Sequence, residues 1–322
     1  MTTMSKYRVL LTDYAWPDLD IEQTVLGGYD AELVVAPNRG LATLIALARD
    51  VEAIMTNWAD VPAELIDGAP RCRIIARLGI GLDNIDVRHA TEHGIPVTNV
   101  PDYCLIEVAE HTLALLLALA RKIGVFHANA REGRYDLSAG LPLRRIEGQT
   151  LGIIGLGEIG RRVAEKAQAF GLNVIAFNRS QNERPPGVTW ADLSTLLSES
   201  DFVSLHVPLT DATRHMIGAA QLALMKPTSF LINTARGGLV DHAALAAALE
   251  SNRLAGVALD VQDPEPPDLS QPPFSDPRVI VTPHAAFYST ESVEELRRRA
   301  AHQVGLRLTG GRPENVVNPQ VL

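Results

Sequence analysis

Short apolar runs recur along this chain, and between them lie stretches whose apolar positions fall three and four residues apart. The first five runs, residues 7–13, 32–36, 53–57, 73–77 and 97–100, read as buried strands. Residues 41–49 and 63–67 have helical spacing, so the first hundred residues predict a small α/β unit. Residues 103–121 are apolar almost all round, which predicts a buried helix bridging two domains, with Asp102 offered as its N-cap. Residues 126–148 are rich in Arg, Gly and small side chains and show little periodicity. They read as an extended arm or subunit contact rather than a plain loop, because unstructured loops of that length are uncommon in compact domains.

From residue 150 the alternation resumes. Strands are expected at 151–156, 173–178, 201–207, 229–235, 256–261 and 279–282, with helices at 158–170, 193–197, 219–225 and 242–251. This is the pattern of a doubly wound parallel sheet, whose ligand belongs at the carboxyl ends of its strands. A last helix at 291–308 carries Val293, Leu296, Ala300, Val304 and Leu308 on one face and would return the chain to the first domain. The closing GGRPENVVNP, turn residues and then an extended stretch, could complete that unit. The expected organisation is therefore a discontinuous substrate domain, 1–100 plus 287–322, with a dinucleotide-binding domain inserted at 101–286.

Within the second domain, LGIIGLGEIG (residues 151–160) runs from strand to tight turn to helix. Gly155, Gly157 and Gly160 spell GxGxxG: the first permits the turn, the second lets backbone approach a pyrophosphate, and the third lets helix pack on strand. The phosphates would sit at the helix N-terminus, over Glu158 and Ile159. At the end of the next strand a carboxylate on the ribose 2′-hydroxyl would mark NAD. Here Asn178 and Arg179 follow Phe177. No carboxylate repels a 2′-phosphate and Arg179 can pair with one, so NADP(H) is favoured over NAD(H).

Composition narrows the reading further. The chain has 322 residues, enough for about two domains. It is 46% hydrophobic and 21% charged, as a globular protein is. A net charge of -9 argues against a nucleic-acid partner, and the basic run 297–299 reads as a solvated helix face. The start lacks the pattern of a secretory signal, and the longest strongly apolar run, 113–120, is far shorter than the ~20 residues that span a bilayer. Cys72 and Cys104 lie outside any CxxC pairing and read as core thiols. A soluble, cytoplasmic protein without membrane partners is expected.

Three stretches at strand ends carry candidate chemistry: NTARGG (233–238), ALDVQDPEPP (258–267) and TPHAAFYS (282–289). They supply Arg236, Asp260, Glu265 and His284. A guanidinium can hold a carboxylate in a bidentate fork, and an imidazole can exchange a proton near neutral pH. A carboxylate on the other ring nitrogen fixes the tautomer. Singly, each has an ordinary reading: a helix-entry charge, a solvated turn, a core histidine. Their succession along one nucleotide-binding sheet gives the set its weight. His89 and His93 stand four apart but lack the intervening Glu of HExxH, and no metal site is expected.

With ARLGIGLDNID (76–86), NVPDYCLIEVAEHTLALLLALAR (99–121), SLHVPLT (204–210) and NTARGGLVD (233–241), these motifs resemble the D-isomer-specific 2-hydroxyacid dehydrogenase family over nearly the whole chain. TPHAAFYS and the GRPENVVN ending are similar to its C-terminal-binding-protein branch, whose eukaryotic members act as nucleotide-responsive corepressors. The resemblance implies a Rossmann-type cofactor domain inserted into a smaller flavodoxin-like α/β substrate domain. It implies hydride transfer between a nicotinamide and a small 2-oxo or 2-hydroxy acid of D configuration. Arg236 would bind the substrate carboxylate and keto oxygen, His284 would be the acid/base, and Glu265 would orient it. Gly79, Ile80 and Gly81 would offer backbone N–H groups to the substrate carboxylate. His206, Val207 and Pro208 would line the cofactor groove, with Thr234, Ala235 and Asp260 near the nicotinamide and its ribose. A homodimer is implied as well. The alternative is a nucleotide-sensing scaffold that keeps the same residues.

Overall fold

The structure, a computed structural model, describes residues 6–180 and 184–322. Residues 1–5, part of the stretch read for a signal, and 181–183 lie outside the described residues. The chain divides into two compact units, Met1–Tyr103 with Ser289–Leu322, and Cys104–Tyr288. These limits differ by two or three residues from those expected at 100 and 287.

The first unit alternates β1 (Tyr7–Leu11), α1 (Asp20–Gly27), β2 (Ala31–Val35), α2 (Leu41–Ala48), β3 (Ala53–Thr56), α3 (Ala63–Asp67), β4 (Ile75–Arg77), α4 (Val87–Glu92) and β5 (Val97–Thr98). Among the described residues its strands form a five-stranded parallel sheet in the order β2-β1-β3-β4-β5, the flavodoxin-like order. Apolar strand residues Leu10, Ile54, Ile75 and Val97 bury against Leu44, Ala48 and Leu65 of α2 and α3. The closing stretch completes this unit: Val316 bridges Thr98 antiparallel, and the Asn318 side chain accepts from Val97 N at 2.8 Å.

The second unit opens with α5 (Leu105–Ala120), α6 (Ile123–Arg131) and a 3-10 turn at Leu137–Gly140. It continues with β6 (Thr150–Ile154), α7 (Glu158–Ala169), β7 (Asn173–Phe177), β8 (Val188–Trp190), α8 (Leu193–Glu199), β9 (Phe202–Leu205), α9 (Ala219–Leu224), β10 (Phe230–Asn233), α10 (His242–Glu250), β11 (Gly256–Leu259) and β12 (Val279–Val281). Among the described residues these strands make a seven-stranded parallel sheet, ordered β12-β11-β10-β9-β6-β7-β8. Strand order reverses at β6, the doubly wound arrangement. One face packs Leu151, Ile153 and Val174 on α5 and α7; the other packs Ile154, Leu205 and Leu231 against residues of α8 to α10. A final helix, α11 (Thr290–Leu308), belongs to the first unit and buries Val293, Leu296, Ala300, Val304 and Leu308.

Three expectations are corrected. Asp102 does not cap α5: Cys104 holds the N-cap position, and the Asp102 carboxylate accepts from Arg299 at 2.8 Å. The basic run 297–299 is not a solvated face throughout, because Arg297 is buried and donates to both carboxylate oxygens of the fully buried Glu22, at 2.9 and 2.8 Å. The arm begins as the helix α6, none of whose residues is buried, so no apolar stripe announced it. Among the described residues no single helix is long and apolar enough to cross a membrane. Together α5 and α6 reach that length but bend by 65° at their break.

Candidate active site

The three glycines after β6 each answer to a different contact. Gly155 has φ 101°, and a Cβ there would lie 2.6 Å from the His206 carbonyl oxygen, so the turn and the loop after β9 meet through bare backbone. At Gly160 a Cβ would fall 2.2 Å from Gly155 O, which is how closely α7 approaches the turn. Gly157 differs: a Cβ there meets nothing within 4 Å. Gly157 is also the N-cap of α7, with no side chain bonded to the helix's first N–H groups. Open space over uncapped, dipole-favoured N–H donors fits a pyrophosphate. Glu158 and Ile159 are the first residues of that helix.

Around this turn stand the other cofactor candidates. Asn178 and Arg179 follow β7, where the Asn178 amide donates to Ser180 O at 2.8 Å and Arg179 is exposed. His206 Nε2 lies 2.8 Å from Ser204 Oγ, and burial pushes the imidazole down to about 4, so it is neutral near pH 7. Val207 and Pro208 continue the loop. Thr234 is buried with its hydroxyl 2.8 Å from that of Thr112 on α5, and Ala235 follows it half-buried.

The catalytic candidates come from the loops after β10, β11 and β12. His284 adopts φ 52°, a left-handed conformation that a residue other than Gly seldom takes without cause. Its Nδ1 is 2.9 Å from Glu265 Oε2, and the other Glu265 oxygen accepts from Gln262 N at 2.8 Å. The carboxylate is thus fixed at both oxygens and orients the ring through Nδ1. Backbone bonds complete the support: His284 N donates to Asp260 O at 2.7 Å.

Asp260 has a role the sequence did not show. It is fully buried, and its two oxygens accept from Ala285 N at 2.8 Å, Ala286 N at 2.9 Å and the Thr282 hydroxyl, with His111 Nε2 at 3.5 Å. Burial works to raise its pKa, but these hydrogen bonds outweigh it and the carboxyl lies below its usual range. Its side chain pins the turn that carries His284.

Arg236 leaves β10 in extended conformation, half-buried, with Nη1 donating to Ala235 O at 2.8 Å. Asn233 shapes its loop: the amide donates to Arg236 O at 2.8 Å and accepts from Ala235 N at 3.0 Å. Next to it, a Cβ on Gly237 would lie 2.1 Å from the Gln262 carbonyl carbon, so the arginine loop and the glutamate loop touch backbone to backbone. Asn233, Gln262, Thr282 and His111 were not singled out from the sequence. The bonds of Thr282 and His111 link segments far apart in the chain, which spacing does not reveal, whereas Asn233 bonds within its own loop. In the first unit, Gly79, Ile80 and Gly81 form a tight loop: Val100 N donates to Gly79 O at 3.1 Å, Asn99 Nδ2 to Ile80 O at 2.8 Å, and the Arg77 guanidinium packs against Gly79.

A parallel nucleotide sheet with a buttressed His–Glu pair and an arginine at its carboxyl ends defines a nicotinamide-dependent oxidoreductase. Comparison with known proteins makes the class specific. Residues 113–286 match the model of the D-isomer specific 2-hydroxyacid dehydrogenase NAD-binding domain. The chain is 41% identical over 297 residues to glyoxylate reductase of Thermococcus litoralis, covering 89% of each. D-lactate dehydrogenase of Aquifex aeolicus, solved with NAD and lactic acid, superimposes with a TM-score of 0.85 at 30% identity, covering 94% of this chain and 96% of that one. An acyclic imino acid reductase solved with NADPH and D-Arg gives 0.86 at 29% identity, covering 96% and 99%. This protein belongs to the D-isomer specific 2-hydroxyacid dehydrogenase family. It is an oxidoreductase that transfers a hydride between a nicotinamide cofactor and a small 2-oxo or 2-hydroxy acid of D configuration. These matches do not confirm the likeness to the C-terminal-binding-protein branch, and they do not favour the scaffold reading.

Proposed function

We propose that this enzyme reduces glyoxylate or a similarly small 2-oxo acid with NADPH, as a homodimer. The observation that carries the reaction is the His284–Glu265 pair at 2.9 Å, itself held by Gln262 N. When bound, the nicotinamide supplies or accepts the hydride at the substrate's C2. The N-terminus of α7 at Gly157, Glu158 and Ile159 would hold the pyrophosphate, and His206, Val207, Pro208, Thr234 and Ala235 would line the groove. In reduction, His284 delivers a proton from Nε2 to the carbonyl oxygen while Glu265 stabilises the charged ring. In oxidation, the neutral ring removes the hydroxyl proton. Arg236 forks onto the substrate carboxylate and polarises the adjacent keto group.

The choice of NADPH rests on Asn178 and Arg179, which stand where a ribose-binding carboxylate would exclude a 2′-phosphate. Glyoxylate is favoured because the Thermococcus relative is a reductase of that acid. Dimerisation is supported by apolar side chains of the arm: Ile123, Tyr135, Leu137 and Leu141 are all exposed. The test is turnover of glyoxylate, hydroxypyruvate and pyruvate with both reduced cofactors, by wild type and His284→Gln. The expected result is higher kcat/KM with NADPH and, in the variant, a loss of kcat of about 10²-fold or more with cofactor affinity retained. Preference for NADH by tenfold, about 1.4 kcal/mol, would overturn the cofactor assignment. Comparable turnover by the variant would remove His284 from proton transfer.

A further inference from the structure

The first unit carries a cluster that takes no part in the dehydrogenase chemistry. Asp67 ends α3, His89 lies on α4 and His93 follows that helix as its C-cap. One ligand atom from each lies within 4.8 Å of the others. His89 Nε2 is 2.7 Å from Asp67 Oδ1, and His93 Nε2 is 3.3 Å from the same oxygen. The two rings lie 4.3 Å apart, centroid to centroid. We propose that Asp67, His89 and His93 form a binding site for a borderline divalent cation, Zn²⁺ above all, that ties α3 to α4.

The ring geometry suits a metal ligand. His93 Nδ1 lies 2.9 Å from the His89 carbonyl oxygen, which has no proton to give, so Nδ1 is the donor. The other ring nitrogen, Nε2, faces the Asp67 carboxylate oxygen 3.3 Å away. A bond from Nδ1–H to a backbone carbonyl is also the support that metal-ligating histidines have: it fixes the tautomer and aims the other nitrogen. Zinc at about 2.0–2.1 Å from each ligand places tetrahedral ligands roughly 3.3 Å apart. The His93–Asp67 separation already has that value. The His89–Asp67 separation must widen by about half an ångström. The Asp67 side chain, 56% exposed, has room to swing outward.

The donor set selects the metal. Two imidazoles and one carboxylate suit zinc, nickel or copper, whereas magnesium and calcium take oxygen ligands and keep their water. The fourth position is open to solvent, since Asp67 and His93 are exposed. The cation would add to the Asp67–His89 contact that already joins these two short helices, and so would act on stability. The histidine pair was visible in the sequence, but its third ligand lies 22 residues before His89. HExxH spacing gives no hint of it.

The experiment is titration of the EDTA-treated full-length protein with zinc chloride, followed by calorimetry and thermal unfolding. Wild type is compared with His93→Ala, His89→Ala/His93→Ala and Asp67→Asn, with magnesium chloride as the control. The proposal expects one zinc per chain and a raised melting temperature in wild type, with no magnesium effect. It expects zinc affinity weakened by about tenfold or more in each variant. Metal-free dehydrogenase activity should be unchanged in all of them. Absence of a zinc-dependent shift in wild type would overturn it. A zinc event of equal affinity in the double variant would overturn it too, by placing the ion elsewhere.

Discussion

In the proposed reaction Glu265 orients His284, because its Oε2 holds Nδ1 while Gln262 N anchors its Oε1. Glu265→Gln keeps the shape but replaces the carboxylate with an amide that no longer stabilises a charged ring. It also frees the tautomer, since an amide can meet Nδ1 with either its oxygen or its nitrogen. A fall in kcat on the order of 10²-fold is expected, with the dissociation constant for NADPH unchanged. Steady-state kinetics beside cofactor titration reads this, and wild-type kcat in the variant would discard the orienting role. A second side chain makes a pH prediction. Burial pushes His206 from 6.5 down to about 4, so above pH 6.5 both folded and unfolded chains hold it neutral and it has no effect on stability. As pH falls from 6.5 toward 4 the unfolded chain takes up a proton that the folded one refuses. Stability therefore drops, by roughly 3 kcal/mol at its limit. Urea midpoints between pH 7.5 and 4 should fall more steeply for wild type than for His206→Gln; parallel curves would contradict the assignment.

At the scale of elements, the glycines of the turn after β6 separate stability from binding. A Cβ on Gly160 would press 2.2 Å from Gly155 O, so Gly160→Ala must push α7 off the turn, at a cost of about 1–3 kcal/mol. A Cβ on Gly157 meets nothing within 4 Å, so Gly157→Ala should unfold in urea as wild type does yet lose cofactor affinity by roughly tenfold or more. If Gly157→Ala bound NADPH normally, no phosphate would lie there. These elements were legible in the sequence because every central strand is an apolar run bounded by turn residues. Elements whose inner face is not apolar escaped it. Helix α1 buries Glu22 beside Leu26, so its inward face looks polar, and β8 is a three-residue edge strand. Arg297 was misread for the same reason, since the carboxylate that pairs with it sits on α1. At the site, Arg236, Glu265 and His284 could be picked out by residue type and position at strand ends. Asp260 was noticed, but its work on Ala285 and Ala286 follows from hydrogen bonds across 25 and 26 residues, which no local pattern records.

For the whole molecule, the arm sets the remaining question. Residues 123–141 leave the second unit's sheet as α6 and a 3-10 turn in which Gly140 packs on the Phe126 ring, where a Cβ would lie 2.2 Å from Phe126 Cζ. That packing encloses a groove lined by Ile123, Phe126, Ala130, Tyr135 and Leu137, yet Tyr135 is fully exposed and Leu137 is 72% exposed. Clustered apolar side chains left in water on one arm mark an association surface, since burying each is worth about 1.5–3 kcal/mol. A twofold dimer would bury the patch twice, as the same surface faces itself across the axis. Tyr135→Ser with Leu137→Asp should therefore turn the sedimenting species from dimer to monomer at micromolar concentration, because a carboxylate placed in an apolar contact is desolvated without a partner. The His284–Glu265 pair and its supports lie outside the arm, so the variant's folded monomer should still bind NADPH. A wild-type protein that sediments as a monomer, or a variant that remains dimeric, would show that the arm serves some other contact.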